Sequence, residues 1–258
     1  MKAYTQHYIN GEWVEASSSQ YLEVTDSNTE AVMATVPAGT AQEAAQAVMA
    51  ARAAFAGWSA LSVEERAVYL DKITAGLKAR SDELTTTIAS EVGMPLKMAG
   101  MVQVGMPIFN WGNFAKVARQ FEFESEIKNS LIVREAIGVV GCITPWNFPN
   151  AMITRKVAPA LAAGCGFVVR PASLTPLSAL ALGKLAEEAE IPEGLFSVVT
   201  TTSSSETGKE FCENPLVRKL TFTGSTEVGR IQLNQSADQV MQCSMELAGN
   251  APYIVMDD

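Results

Sequence analysis

The sequence predicts an α/β fold built on a doubly wound, Rossmann-like parallel sheet, and three observations lead there. Short apolar runs of strand type recur at Val139–Ile143, Phe167–Val169, Leu195–Val199 and Lys219–Phe222. Between them lie segments of helical period: Ala151–Ala163 ending at Gly164, Pro176–Glu190 with Leu177, Leu180, Ala181 and Leu185 on one face, and Ser205–Cys212. Strand and helix alternating at this pitch require right-handed crossovers, so the strands lie parallel with both faces of the sheet covered. The third observation is the stretch Leu216–Gly229, where a strand stops at Gly224 and a helix runs from Ser225 to Gln235 through Val228 and Ile231. Ligands of such sheets sit at the carboxyl ends of the strands.

Upstream, Tyr8-Ile9-Asn10-Gly11-Glu12-Trp13-Val14 predicts a hairpin, because both residues of an Asn-Gly turn tolerate positive φ. An irregular stretch follows. Thr40-Ala41-Gln42-Glu43 and Ser62-Val63-Glu64-Glu65 each fit a capping box, in which hydroxyl and carboxylate satisfy a helix's first free donors. They start helices expected over about 41–56 and 63–79, and a third near 82–92 ends at Gly93-Met94-Pro95. Leu96–Arg119 has helical spacing interrupted by Gly100, Gly105 and Pro107, which predicts a kink near Pro107. Phe121-Glu122-Phe123-Glu124 and Leu131-Ile132-Val133 read as a second hairpin, whose apolar residues face either a partner subunit or the core. The expected organisation is a helical part over 1–120, the hairpin over 121–137 and the sheet over 138–258.

The apolar fraction of 48% over 258 residues is ample for a packed core. A net charge of −9 argues against a nucleic-acid partner, which needs clustered Lys and Arg. No run approaches the ~20 apolar residues that span a bilayer, and the N-terminus shows no signal-peptide core, so the expectation is a cytoplasmic protein with no membrane partner. Cys142, Cys165, Cys212 and Cys243 have no metal-type spacing and a single histidine, His7, to assist them; no metal site is expected.

Chemically loaded residues fall at the predicted strand ends. Thr144-Pro145-Trp146-Asn147-Phe148-Pro149 places an amide beyond one strand, and Arg170-Pro171-Ala172-Ser173 a permanent cation beyond the next. Gly224 and Ser225 precede a helix whose first-turn N–H groups favour a phosphate, with Gly224 removing a side chain from the ligand's approach. Cys243-Ser244-Met245-Glu246-Leu247 brings a carboxylate to a fifth apolar run. Read from the residues alone, Asn147 is equally the cap of a helix beginning near Pro149, Glu246 a surface ion-pair partner, and the glycine turn plain connection geometry.

Three segments in order, ITPWNFPNAMITRKVAPALAAGC (143–165), FTGSTEVGR (222–230) and MELAGNAPYIVMDD (245–258), resemble the aldehyde dehydrogenase superfamily. The second half is most similar to its succinate-semialdehyde dehydrogenase branch. The resemblance covers the whole chain but about the first half of a full-length member. It implies an NADP or NAD cofactor, a small aldehyde substrate, a homo-oligomer with the 121–137 hairpin as its arm, and two catalytic residues. Asn147 donates its amide to the oxyanion of the reacting aldehyde, and Glu246 is the general base. Ser225 and the amides after Gly224 hold the pyrophosphate. Ile143, Thr144, Pro145, Trp146, Arg170, Ala172, Ser173, Thr201, Gly208, Phe222, Thr223, Val228 and Leu247 complete the implied cofactor site.

Departures from the family pattern carry expectations too. Arg170 stands where lysine is usual, and Thr201 and Ala248 where glycine is usual, adding a β-carbon near the cofactor. Ser173 stands where many NAD-preferring members have glutamate, which leans the site toward NADP, since a carboxylate repels a 2′-phosphate. The family's nucleophilic cysteine follows the Glu246 position by a few tens of residues, and none of the four cysteines replaces it. The expectation is therefore a partial reading frame lacking its catalytic domain, inactive alone. The alternative is a non-catalytic dinucleotide-binding or subunit-interaction module.

Overall fold

The structure, a computed structural model, describes residues 2–247, 249 and 251–256. In chain order the elements are β1 (Lys2–Ala3), β2 (Gln6–Ile9), β3 (Glu12–Glu15), β4 (Tyr21–Thr25), β5 (Val32–Pro37), α1 (Ala41–Ala60), α2 (Val63–Ala79) and α3 (Ser81–Val92). Next come α4 (Leu96–Met98), a π-helical turn (Ala99–Gly105), α5 (Met106–Gln120), β6 (Glu124–Ile127), β7 (Ser130–Val133), β8 (Val139–Ile143) and α6 (Pro149–Ala162). The last are β9 (Gly166–Arg170), α7 (Leu177–Glu188), β10 (Phe196–Val198), α8 (Ser204–Glu213), β11 (Val217–Gly224), α9 (Thr226–Gln235) and β12 (Gln242–Leu247).

Local chemistry explains the boundaries. Asn10 and Gly11 both have positive φ, 56° and 77°, and join β2 to β3. Thr40 and Ser62 each form a complete capping box, with Glu43 and Glu65. Gly93 closes α3 in the left-handed region at φ 73°. The expected kink at Pro107 is instead a π-helical turn just before it, and Pro107 sits in the first turn of α5. Proline has no N–H to continue the preceding ladder, and the wider turn absorbs the mismatch.

The main sheet runs β12-β11-β8-β9-β10-β2-β3. Its first five strands are parallel, as the strand–helix repeats require, and β2–β3 joins antiparallel beyond β10. Alternate residues face opposite layers. Phe167 and Val169 enter the core shared with Trp58, Leu70, Trp111, Ile153 and Leu180, while Val168 enters the one shared with Ala47, Ala51 and Phe211. The alanine face of α1 permits close approach, since a Cβ on Gly166 would stand 3.0 Å from the Ala51 carbonyl oxygen.

Two features differ from the sequence expectation. The N-terminal hairpin belongs to the main sheet rather than to a helical part. The stretch read as irregular carries β4 and β5, an antiparallel pair flanked by β1. Its alternation is hard to see because Val24 is the sole buried residue of β4 and the flanks are rich in Ser, Asp and Asn. No helix among the described residues is long and apolar enough to cross a membrane.

Candidate functional site

Parallel strands end together, so the loops after β8, β9 and β11 meet α8 and α9 around one cleft of about 690 Å³. Ile143, Thr144, Pro145, Trp146, Asn147, Arg170, Gly208, Phe222, Thr223, Gly224, Ser225, Val228, Glu246 and Leu247 line it. The segment 144–148 leaves β8 as irregular chain, because Pro145 can extend neither the strand ladder nor a helix, and α6 starts at Pro149. Phe148, not Asn147, occupies the N-cap of α6, so Asn147 does not cap that helix. Asn147 is exposed to the cleft. Glu246 is exposed near the end of β12, opposite Thr223 in register, and joins no ion pair found among the described residues.

Ser225 caps α9, its hydroxyl oxygen accepting from Val228 N–H at 3.3 Å. That bond leaves the hydroxyl hydrogen free to donate into the cleft. Arg170 ends β9 with its Nε buried and unpaired. Burial pulls its guanidinium down to about 10, still a cation at neutral pH, and no carboxylate among the described residues neutralises it. Thr144 and Thr223 also carry buried hydroxyls with no partner. A partly buried cation, free hydroxyls and a helix N-terminus together fit an anionic ligand.

Packing adds a second constraint to the glycine turn. A Cβ on Gly224 would lie 2.5 Å from the Phe222 ring, so Gly224 is required by packing. Gly208 also lines the cleft, where a Cβ on it would meet only Gln232 and Ile143, each at 3.8 Å.

Three predicted residues do not line the cleft. Thr201 is buried, donating to the Gly39 carbonyl at 2.6 Å and accepting from Ser203 N–H at 3.0 Å, so its side chain ties β10's exit to the turn before α1. Its β-carbon therefore does not crowd the cleft. Ala172 and Ser173 lie in the turn from β9 to α7, where the Ala172 carbonyl accepts from Thr175 N–H, and neither lines the cleft. Ala248 lies outside the described residues, as do Asn250, Asp257 and Asp258 at the end of the third motif. Ser204, Ser205, Ile231, Gln232 and Gln235 line the cleft without having been predicted. Val228, Ile231, Gln232 and Gln235 are one helical stripe, a spacing that marks them as a set.

A second cleft of about 770 Å³ lies on the α6 side of the sheet, lined in part by Met152, Arg155, Lys156, Lys219 and Thr221. Thr223 and Glu246 line both clefts, at the sheet edge between them. Lys156 donates to Thr221 Oγ1 at 2.8 Å, and burial lowers its ammonium below the usual lysine range despite Cys142 and Glu246 nearby. The four thiols are free; burial pushes Cys142 and Cys212 up to about 12, and none lines the cleft that holds Asn147. No cluster of three or more metal-type side chains occurs among the described residues.

Comparison with known proteins agrees with this architecture. A profile of the aldehyde dehydrogenase family matches residues 13–258. A 3-sulfolactaldehyde dehydrogenase of Pseudomonas putida is 47% identical over 98% of this chain and 53% of its own length. A glutarate-semialdehyde dehydrogenase of Pseudomonas aeruginosa is 44% identical, and the NADP(+) succinate-semialdehyde dehydrogenase of Escherichia coli 42%, at the same coverage. Among solved structures, an aldehyde dehydrogenase of Pseudomonas syringae complexed with NAD+ and octanal superposes with a TM-score of 0.93, at 36% identity over 98% of this chain and 52% of that one. The chain thus spans about half the length of the relatives it matches.

Proposed function

Because the chain belongs to the aldehyde dehydrogenase family, we propose that it is the NAD(P)-binding half of an enzyme that oxidises an aldehyde bearing an anionic tail to a carboxylic acid. One observation carries this reading: Asn147, Glu246 and an unneutralised Arg170 line a single cleft at the carboxyl ends of parallel strands.

A dinucleotide fits the residues present. Arg170 offers a cation to ribose or phosphate oxygens, Ser225 and the first turn of α9 offer donors to a pyrophosphate, and the open surface at Gly208 accommodates a flat ring. When bound, such a cofactor supplies a hydride acceptor. The chain's own residues do the rest. Asn147 offers an amide donor where negative charge develops on the aldehyde oxygen, and Glu246 takes the proton that a nucleophile must lose. The nucleophilic thiol belongs, in this reading, to the part of the enzyme that these residues do not span, which leaves the chain inactive alone.

The substrate class follows from the second cleft. The relatives are named for aldehydes carrying a sulfonate or a carboxylate. Arg155, exposed on α6 and joined to no carboxylate among the described residues, supplies a matching guanidinium beside Glu246. A semialdehyde such as succinate semialdehyde is accordingly proposed. The 2′-phosphate preference rests on Arg170 alone, since Ser173 lies off the cleft.

Titrating the purified chain with NADP and NAD while following Trp146 fluorescence tests the reading. Saturable quenching, absent in Arg170→Met, is expected. No response to either dinucleotide at millimolar concentration overturns it.

A further inference from the structure

The loop that presents Asn147 is held from behind by two buried amide side chains. Gln103, fully buried in the π-helical turn, donates from Nε2 to the backbone carbonyl of Asn147 at 2.9 Å. Asn150, in the first turn of α6 and also buried, donates from Nδ2 to the backbone carbonyl of Gln103 at 2.8 Å. That carbonyl is open to it because Pro107, four residues on, has no N–H to offer.

Stability alone does not account for this pair. Gln103 Oε1 and Asn150 Oδ1 are buried without a donor, a cost that offsets part of what the two bonds contribute by satisfying the carbonyls of Asn147 and Gln103. The Asn147 side chain, meanwhile, makes no hydrogen bond among the described residues, so its direction is set by its backbone alone. Its two neighbouring carbonyls are fixed as well: Trp146 O accepts from Thr175 Oγ1 at 3.4 Å and Phe148 O from Met152 N–H at 2.9 Å.

We propose that Gln103 and Asn150 are positioning residues, a buried amide clamp that fixes the peptide of Asn147 and thereby directs its side chain, with Trp146, into the cleft. The inference rests on the dinucleotide-site reading above. It assigns a purpose to the π-helical turn: the wider turn and Pro107 together free one carbonyl for Asn150 and set Gln103 against the loop.

The test uses the full chain with Gln103→Met and Asn150→Leu, which keep volume and remove the donor. Hydrogen exchange over 144–150, NADP affinity from Trp146 fluorescence and the urea midpoint are measured for each. The clamp predicts exchange faster by about tenfold confined to this loop. It also predicts NADP binding weaker by about three- to tenfold, with the urea midpoint lowered only as far as one orphaned carbonyl requires. Should Gln103→Met fail to fold, Asn150→Leu decides alone. Loop exchange and affinity equal to wild type overturn the clamp. So does exchange that rises evenly through α5 and α6 with a fallen midpoint, which marks a packing role only. Wild-type protein that binds neither dinucleotide sinks the dinucleotide reading, while the exchange comparison still decides the clamp.

Discussion

The two edges of the seven-stranded sheet differ in kind. At the hairpin edge, Tyr8 is 2% exposed, its Cβ within 3.1 Å of where a Cβ on Gly183 would stand, and its ring lies 5.3 Å from Trp13. His7 beside it is fully buried, its Nδ1 against Thr200 Oγ1 at 3.2 Å. The outermost strand, β3, presents Glu12 and Glu15 to solvent, charges that blunt an open edge. At the opposite edge, β12 has one neighbour, and Val228, Ile231, Leu233 and Leu247 are between 36% and 49% exposed. One edge packs its apolar residues inward, whereas the other leaves apolar surface facing outward. The first edge is therefore expected to carry stability and the second, on the proposed reading, binding.

The largest expected effect breaks the hairpin edge. Tyr8→Ala removes a ring from a close-packed site and is expected to cost about 3–5 kcal/mol in urea unfolding. An effect under about 1 kcal/mol places the stability elsewhere.

Next is the pH response of the same edge. Burial pulls the His7 imidazole down to about 4, below its ordinary value near 6.5, with Glu43 opposing. The unfolded chain thus takes up the proton first. The contribution is complete above about pH 6.5 and is lost as pH falls through about 4, on the order of 3 kcal/mol in all. Carboxylates titrate in the same range, so the check is the difference between wild type and His7→Gln, whose curve lacks this slope.

Arg170→Met sharpens the contrast from the other side. It is expected to weaken NADP binding by about tenfold or more, equivalent to about 1.4 kcal/mol. Unfolding stability holds or rises, because an unpaired, partly buried cation is removed. A matching loss of stability instead makes Arg170 a structural residue. The smallest effect is at the open edge: Ile231→Ser changes unfolding by within about 0.5 kcal/mol, while light scattering shows less association. A cost of several kcal/mol there erases the distinction between the edges.

Legibility followed the range of the interaction. The capping boxes at Thr40 and Ser62 and the Asn10-Gly11 turn involve partners within three residues, so the letters display them directly. The strand ends Asn147, Arg170 and Ser225 were readable because parallel strands finish on one side whatever their order. The helix face of Gln232 and Gln235 was not, since its use depends on α8 lying opposite α9. Thr201 was misplaced for the same reason: nothing local shows that its hydroxyl reaches the carbonyl of Gly39.

By itself the sequence determined the N-terminal hairpin, the capped helices, the parallel sheet, the family and the strand-end residues, all products of spacing along the chain. Tertiary structure decided that the N-terminal hairpin completes the sheet, that Gly224 packs against Phe222, and that Gln103 and Asn150 stand behind Asn147. Those outcomes depend on contacts between residues tens of positions apart, and only the packed chain brings such residues within hydrogen-bonding distance.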